Sequence, residues 1–228
     1  MLSEPRTISL LSECVHLPVK HSLDQLREVY TNVCGTCGYE NFIKTPAGVR
    51  LERHESQGDG FSHLNFAGDR IQFTEDHVGS STDQFSKKVR TVLEEAMPRL
   101  RIPIILVQQV TVRVICTPNS FKNAAEFLAR SIFRIRGEDF DLLGRPTSVH
   151  GFRLVFPATK DHPHGFNVRV ESYLRDQRSI YVENVGTFKT PIQIKALDVI
   201  ERNIELTSKF VVNNVVPFLS RYDRRDPE

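Results

Sequence analysis

The sequence predicts an α+β protein in which a β-α-β-β-β-α unit occurs twice, with antiparallel sheets carrying helices packed on one face. Three observations carry this reading. Two amphipathic stretches each open on a Ser-x-x-Gln capping box, Ser22 with Gln25 and Ser81 with Gln84. Short alternating runs separated by Gly and Pro turns stand between the helical stretches. The order of these pieces then starts again near residue 105.

The first piece, "TISLLSECVHL" (7–17), alternates as a strand, with Ile8, Leu10 and Ser12 on one face and Leu11, Glu13 and Val15 on the other. In "HSLDQLREVYTNV", Leu23, Leu26, Tyr30 and Val33 recur at helical spacing. Residues 39–76 read as three strands: "ENFIKTPAGVRLERH", bent at Pro46-Ala47-Gly48, and "SHLNFAGDRIQFTED", turning at Gly68-Asp69. "SSTDQFSKKVRTVLEEAMPRL" is a helix whose stripe is Phe85, Val89, Val92, Leu93, Ala96 and Leu100.

In the second half, "QQVTVRVICTP" is a strand with Val110, Val112, Val114 and Cys116 on one face. "NSFKNAAEFLARSIF" is a helix with Ala124, Phe127, Leu128 and Ile132 on its apolar side. Three strands follow, "VHGFRLVF", "GFNVRVESYL" and "SIYVENV". A last helix spans 194–219 with Leu197, Ile200, Ile204, Val211 and Phe218 on one stripe, and Pro217 near its end. "RIQFTEDHVGSSTDQF" echoes "SIYVENVGTFKTPIQI", Ile71 matching Ile180, Phe73 matching Val182 and Gly79 matching Gly186. The expected boundaries are a first lobe over 1–104, a second over 105–222 and a frayed tail over 223–228.

The 228 residues are 39% hydrophobic and 25% charged, the balance of an ordinary globular protein. With 30 Lys and Arg against 28 Asp and Glu the net charge is +2, which argues against a nucleic-acid partner. In "ARSIFRIRG" Arg130, Arg134 and Arg136 stand near a helix end, and Arg130 and Arg134, one turn apart, would form a small basic face; Arg99 and Arg101 lie elsewhere. The longest apolar run, "IPIILV", is too short to cross a bilayer, and "MLSEPRTISLL" lacks the pattern of a signal peptide. The expected compartment is the cytoplasm, where thiols stay reduced.

"STDQFSKKVRTVLEEAMPRL", "VQQVTVRVICTP" and "IKALDVIERNIELTSKFVVNNVV" stand in the order of a sporadically distributed, uncharacterised bacterial family of two-lobed α+β layout, which the chain resembles over nearly its whole length. That family's "RYINRI"-like strand signature is present here only as "VRVICTP". No activity comes with the resemblance. The strand-helix-strand-strand repetition also resembles GyrI-type ligand-binding modules, which implies a small molecule held between the repeats.

Three groups of residues are candidates for chemistry. Cys34 and Cys37 form a Cys-x-x-Cys pair, but at the end of a helix, where the dipole disfavours a thiolate; Gly35 and Gly38 fit a helix stop. A zinc site completed by Cys14 and His16, a regulatory disulfide and plain packing are the three readings, packing the simplest. Cys116 reads as a buried thiol. His54, Glu55, Asp59 and His63 in one polar segment, and Asp161, His162 and His164 in another, would form a metal site if the two met; solvated hairpin loops are the plainer reading. Phe152, Phe166, Tyr173 and Tyr181 would line a ligand groove between the lobes, or simply pack across strands. There is no G-x-x-x-x-G-K-[ST], G-x-G-x-x-G or G-x-S-x-G segment.

The expected function is therefore non-enzymatic binding, as a protein-interaction module of a bacterial multi-protein system, with no cofactor. The alternatives are a small-molecule-binding module with its ligand in the inter-lobe groove, and a metal-dependent enzyme built on the two histidine segments. A protein partner is expected, and a homo-oligomer stays open.

Overall fold

The computed structural model describes residues 1–54 and 59–224. Its strands are β1 (Arg6–His16), β2 (Asn41–Thr45), β3 (Gly48–His54), β4 (Phe61–Ala67), β5 (Arg70–Asp76), β6 (Ile104–Cys116), β7 (Gly151–Phe156), β8 (Gly165–Ser172), β9 (Ile180–Phe188) and the short β10 (Ile192–Gln193). The helices are α1 (Leu23–Cys37), α2 (Thr82–Arg99), α3 (Ala124–Phe127), α4 (Gly137–Asp141), α5 (Asp198–Phe210) and α6 (Val216–Ser220). All the strands join one antiparallel sheet in the order β2-β3-β4-β5-β1-β6-β9-β8-β7, with β10 on the end of β6. The protein is α+β, and none of its described helices is long and apolar enough to cross a membrane.

Local sequence explains the helices. Ser22 and Ser81 each cap a helix through the expected box, Ser81 Oγ accepting from Gln84 N at 3.1 Å and Gln84 Oε1 accepting from Ser81 N at 2.9 Å. Gly38 closes α1 in the left-handed region at φ 73°, which a Cβ would disfavour. The helices cover one face of the sheet, and Leu51, Leu64, Phe66, Ile71 and Phe73 meet Val33, Phe85, Val89 and Leu93 there, each 1% exposed or less. Burial of each such side chain is worth about 1.5–3 kcal/mol.

The two halves join in one continuous sheet: β1 and β6 pair antiparallel from Arg6↔Ile115 to His16↔Ile105. Over this seam lies a buried polar ladder. Gln108 Nε2 donates to Ser12 Oγ (3.1 Å) and to the Ile200 carbonyl (3.3 Å), and Asn203 Nδ2 donates to Gln108 Oε1 (2.8 Å). Both partners of each bond are buried, so the ladder fixes how α5 lies across the junction.

Four expectations need correction. Residues 39–76 hold four strands, because the chain at Pro46-Ala47 reverses into the β2–β3 hairpin, Thr45 facing Gly48. A Cβ on Gly48, at φ 149°, would lie 1.9 Å from the Phe66 carbonyl oxygen. The first half therefore departs from the six-piece β-α-β-β-β-α pattern by one strand. Ile8 does not share the face of Leu10: a register shift between Thr7 and Ser9 turns it to the opposite side, against Ile115 and Tyr181. In the last helical stretch a π-helical turn, Val211–Val215, precedes Pro217 and shifts the apolar stripe, so that Leu219 is buried while Phe218 is 39% exposed. The frayed tail does not begin at 223, since Asp223 is buried and accepts from the backbone N–H of Asn119 (3.0 Å) and Ser120 (2.9 Å); residues 225–228 lie outside the described residues.

Candidate functional site

Side-chain parity sorts each strand between two environments. Residues paired across the sheet with Leu10, Val112 and Val182 face the helices; their immediate neighbours face the other side, which none of the described helices covers. On this open face the centre is mixed: half-buried Leu11 and Val15 of β1, Val107 of β6 and Val185 of β9 stand among Glu13, Gln109 and Thr111. Ile8, Ile115 and Tyr181 form a more deeply buried cluster beside them, with Tyr173 packed on top.

Charged side chains flank this centre and satisfy one another. Arg113 Nε lies 2.7 Å from Glu183 Oε2, Arg169 Nη2 lies 3.4 Å from Glu183 Oε1, and Tyr181 Oη donates to Glu183 at 3.0 Å. Burial pushes the Glu183 carboxyl up, but the Arg113 and Tyr181 bonds outweigh it and hold the group below its usual range. On the other half Arg70 bridges Glu13 and Asp69 at 3.1 and 3.0 Å.

Further along the same face stand Glu52, His54 and His63. Glu52 and His54 are two apart on β3, so they point the same way, and register places His63 of β4 directly opposite Glu52. One ligand atom from each of the three lies within 4.8 Å of the others. Glu52 Oε1 is 3.5 Å from His54 Nε2, and Glu52 Oε2 is 3.7 Å from His63 Nε2. Arg50 Nε approaches Glu52 Oε2 at 3.1 Å. Burial first, then the Arg50 guanidinium, depress the His63 imidazole below its ordinary value, while Glu52 pulls the other way. His63 Nε2 is buried without a hydrogen-bond partner, and Phe61 stacks on the ring at 4.5 Å.

His54 and His63 thus come together, but on strands rather than on a loop. Glu55 lies outside the described residues, and Glu52, in neither proposed set, takes its place. The only hint in the sequence is that Glu52 and His54 share parity; its pairing with His63 depends on a register that no local pattern states. Asp161, His162 and His164 precede β8, five strand positions from β4, which at roughly 4.8 Å per step is about 24 Å away. The two histidine segments do not meet.

Cys34 and Cys37 end α1 as free thiols, and among the described residues Cys14 and His16 do not gather with them into a ligand group. Burial raises the Cys37 thiol despite Lys88 nearby, and pushes Cys14 and Cys116 up to about 12. Cys37 lines a cavity of about 780 Å³ with Arg53, Lys87 and Lys88. Arg130, Arg134 and Arg136 border another, of about 850 Å³, beside the stacked Phe140 and His150 rings.

The four aromatic residues do not line one groove, because the sheet divides them. Phe152 and Phe166 face the helices, against Phe133 and Phe210, whereas Tyr173 and Tyr181 stack on the open face at 5.8 Å. Between the two halves the helices α2 and α5 meet instead, beside a hollow of about 590 Å³ whose lining includes Asp83, Lys87 and Glu201, and Arg90 bridges to Glu201 at 2.9 Å. Compared with known proteins, the chain matches no family model and no curated protein.

Proposed function

We propose that the chain is a non-enzymatic binding protein whose uncovered sheet face docks a protein partner, as a module of a multi-protein system. The observation that carries this reading is the composition of that face: half-buried Leu11, Val15, Val107 and Val185 interleaved with Glu13, Gln109 and Thr111, beside the buried Ile8, Ile115 and Tyr181 cluster and its Arg–Glu ion pairs. Such a mixture of apolar and polar side chains, with aromatic and Arg residues present, is usual for a non-obligate protein interface. Its size suits the role. Eight strand spacings of roughly 4.8 Å by six residues of roughly 3.3 Å give about 760 Å², close to the ~800 Å² each partner contributes to a standard complex.

The two halves, in this proposal, descend from one duplicated unit. The outward order β1-β5-β4-β3 beside β6-β9-β8-β7 supports it, with β2 as an addition to the first half. The layout resemblance to the two-lobed bacterial family is part of the same proposal.

The test is affinity capture from the cells that make the protein, with the wild-type chain and a Leu11→Glu/Val185→Glu variant. A folded variant that loses a partner held by the wild type supports the reading. Equal capture by both, or turnover of a substrate with no partner found, removes it.

A further inference from the structure

We propose that Glu52, His54 and His63 form a binding site for a divalent cation of the zinc class on the open face of the sheet. The donor set is two imidazole nitrogens and one carboxylate, a mixture that suits Zn²⁺ and its neighbours and not Mg²⁺ or Ca²⁺, which take oxygen ligands. All three side chains rise from adjacent strands of one sheet, β3 and β4, so the backbone already holds them in order before any ion arrives.

The distances are close to those of a formed site. Zinc bonds of about 2.0–2.1 Å to nitrogen or oxygen in a tetrahedron place neighbouring ligand atoms about 3.3–3.4 Å apart. His54 Nε2 lies 3.5 Å from Glu52 Oε1 and His63 Nε2 lies 3.7 Å from Glu52 Oε2, so each imidazole already stands near one tetrahedral edge from a carboxylate oxygen, and a turn of the carboxylate lets one oxygen serve both. The third edge is bounded by the 4.8 Å that encloses all three atoms, and His54, with 62% of its side chain exposed, is free to swing inward.

The surroundings fit as well. His63 Nε2 is buried with no hydrogen-bond partner, an orphan that an ion would satisfy. Arg50, 3.1 Å from one Glu52 oxygen, is an opposing charge beside the site; a carboxylate that gives its other oxygen to the metal keeps this contact as an outer-shell support. The described residues supply three ligands, so a tetrahedral ion has a fourth position for water or another donor. The inference does not depend on the docking proposal, since the ion needs no partner to bind.

The test is competition for Zn²⁺ between a chromophoric chelator and the metal-free protein, with Co²⁺ as a spectroscopic stand-in. The wild type is expected to bind one equivalent and to give the intense visible absorption of tetrahedral Co²⁺. His63→Ala and, separately, the exposed-residue variant His54→Ala are each expected to weaken binding at least ~100-fold, while His162→Ala leaves it unchanged. Because the chain has 8 histidines, loose surface binding is the competing outcome. It would appear as Zn²⁺ affinity equal in wild type and in His54→Ala, and that result, or no binding by the wild type, overturns the proposal. Should His63→Ala fail to fold, His54→Ala decides alone.

Discussion

Lys88→Ala is expected to destabilise the protein by about 3–5 kcal/mol, the range for removing one partner of a buried ion pair. Lys88 Nζ donates to Glu75 Oε1 and lies 3.3 Å from Ser62 Oγ, with its ammonium 5.3 Å from the centre of the Tyr39 ring. Glu75 is 3% exposed, and its other oxygen, Oε2, has no hydrogen-bond partner. Without Lys88 the carboxylate would keep, among the described residues, Ser62 Oγ, 3.4 Å from Oε1, at a position only 3% exposed. At about 2–4 °C per kcal/mol for a chain of this size, a loss near 4 kcal/mol is a fall in Tm of about 8–16 °C. Paired replacement by Glu75→Leu and Lys88→Met should restore most of this, since apolar groups of similar volume need no partner. Urea denaturation followed by circular dichroism of the wild type, Glu75→Leu, Lys88→Met and the double variant measures the cycle, with Lys88→Ala run beside them. A single-variant loss below about 1 kcal/mol, or a double variant whose loss equals the sum of the singles, would refute the reasoning.

Other expectations follow from the same geometry. Gly48→Ala should lose about 3 kcal/mol or more, because a Cβ there strikes the Phe66 carbonyl and the residue sits at positive φ; unchanged denaturation would mean that the β2–β3 hairpin is formed differently. Glu183→Gln should destabilise by about 1–3 kcal/mol at pH 7, with the difference from wild type fading as the pH falls through the depressed Glu183 pKa. The sign follows from the depression: the ionised form is favoured by folding above the ordinary carboxylate value and that advantage is lost in acid, so a pH-independent difference would contradict it. Asp223→Ala should cost about 1–3 kcal/mol by leaving the Asn119 and Ser120 amides unpaired, and hydrogen exchange at those two amides should rise. Slow exchange at both in the variant would show that another acceptor holds them.

Much of the secondary structure is legible along the chain because its causes are local. Ser22 with Gln25 and Ser81 with Gln84 close boxes within one turn, and Gly38 stops α1 through its own φ. The apolar stripe of α2 is buried as its spacing requires. Misreadings occur where a tertiary demand overrides the local pattern. The hairpin at Pro46-Ala47 looks like a bend until Gly48 meets the backbone of β4, and the π-turn before Pro217 shifts a stripe that 3.6-residue spacing places on Phe218.

By itself, then, the sequence determined which segments are helix or strand and which faces of most of them are apolar, since those properties arise from contacts a few residues apart. Only the tertiary structure decided that the two halves share one sheet, that one of its faces stays uncovered, and that the aromatic residues fall on opposite sides of it. It also brought Glu52 against His63 and kept His162 and His164 away. The physical reason is register: pairing between distant strands sets which side chains become neighbours, and a shift of one residue would send each to the other face.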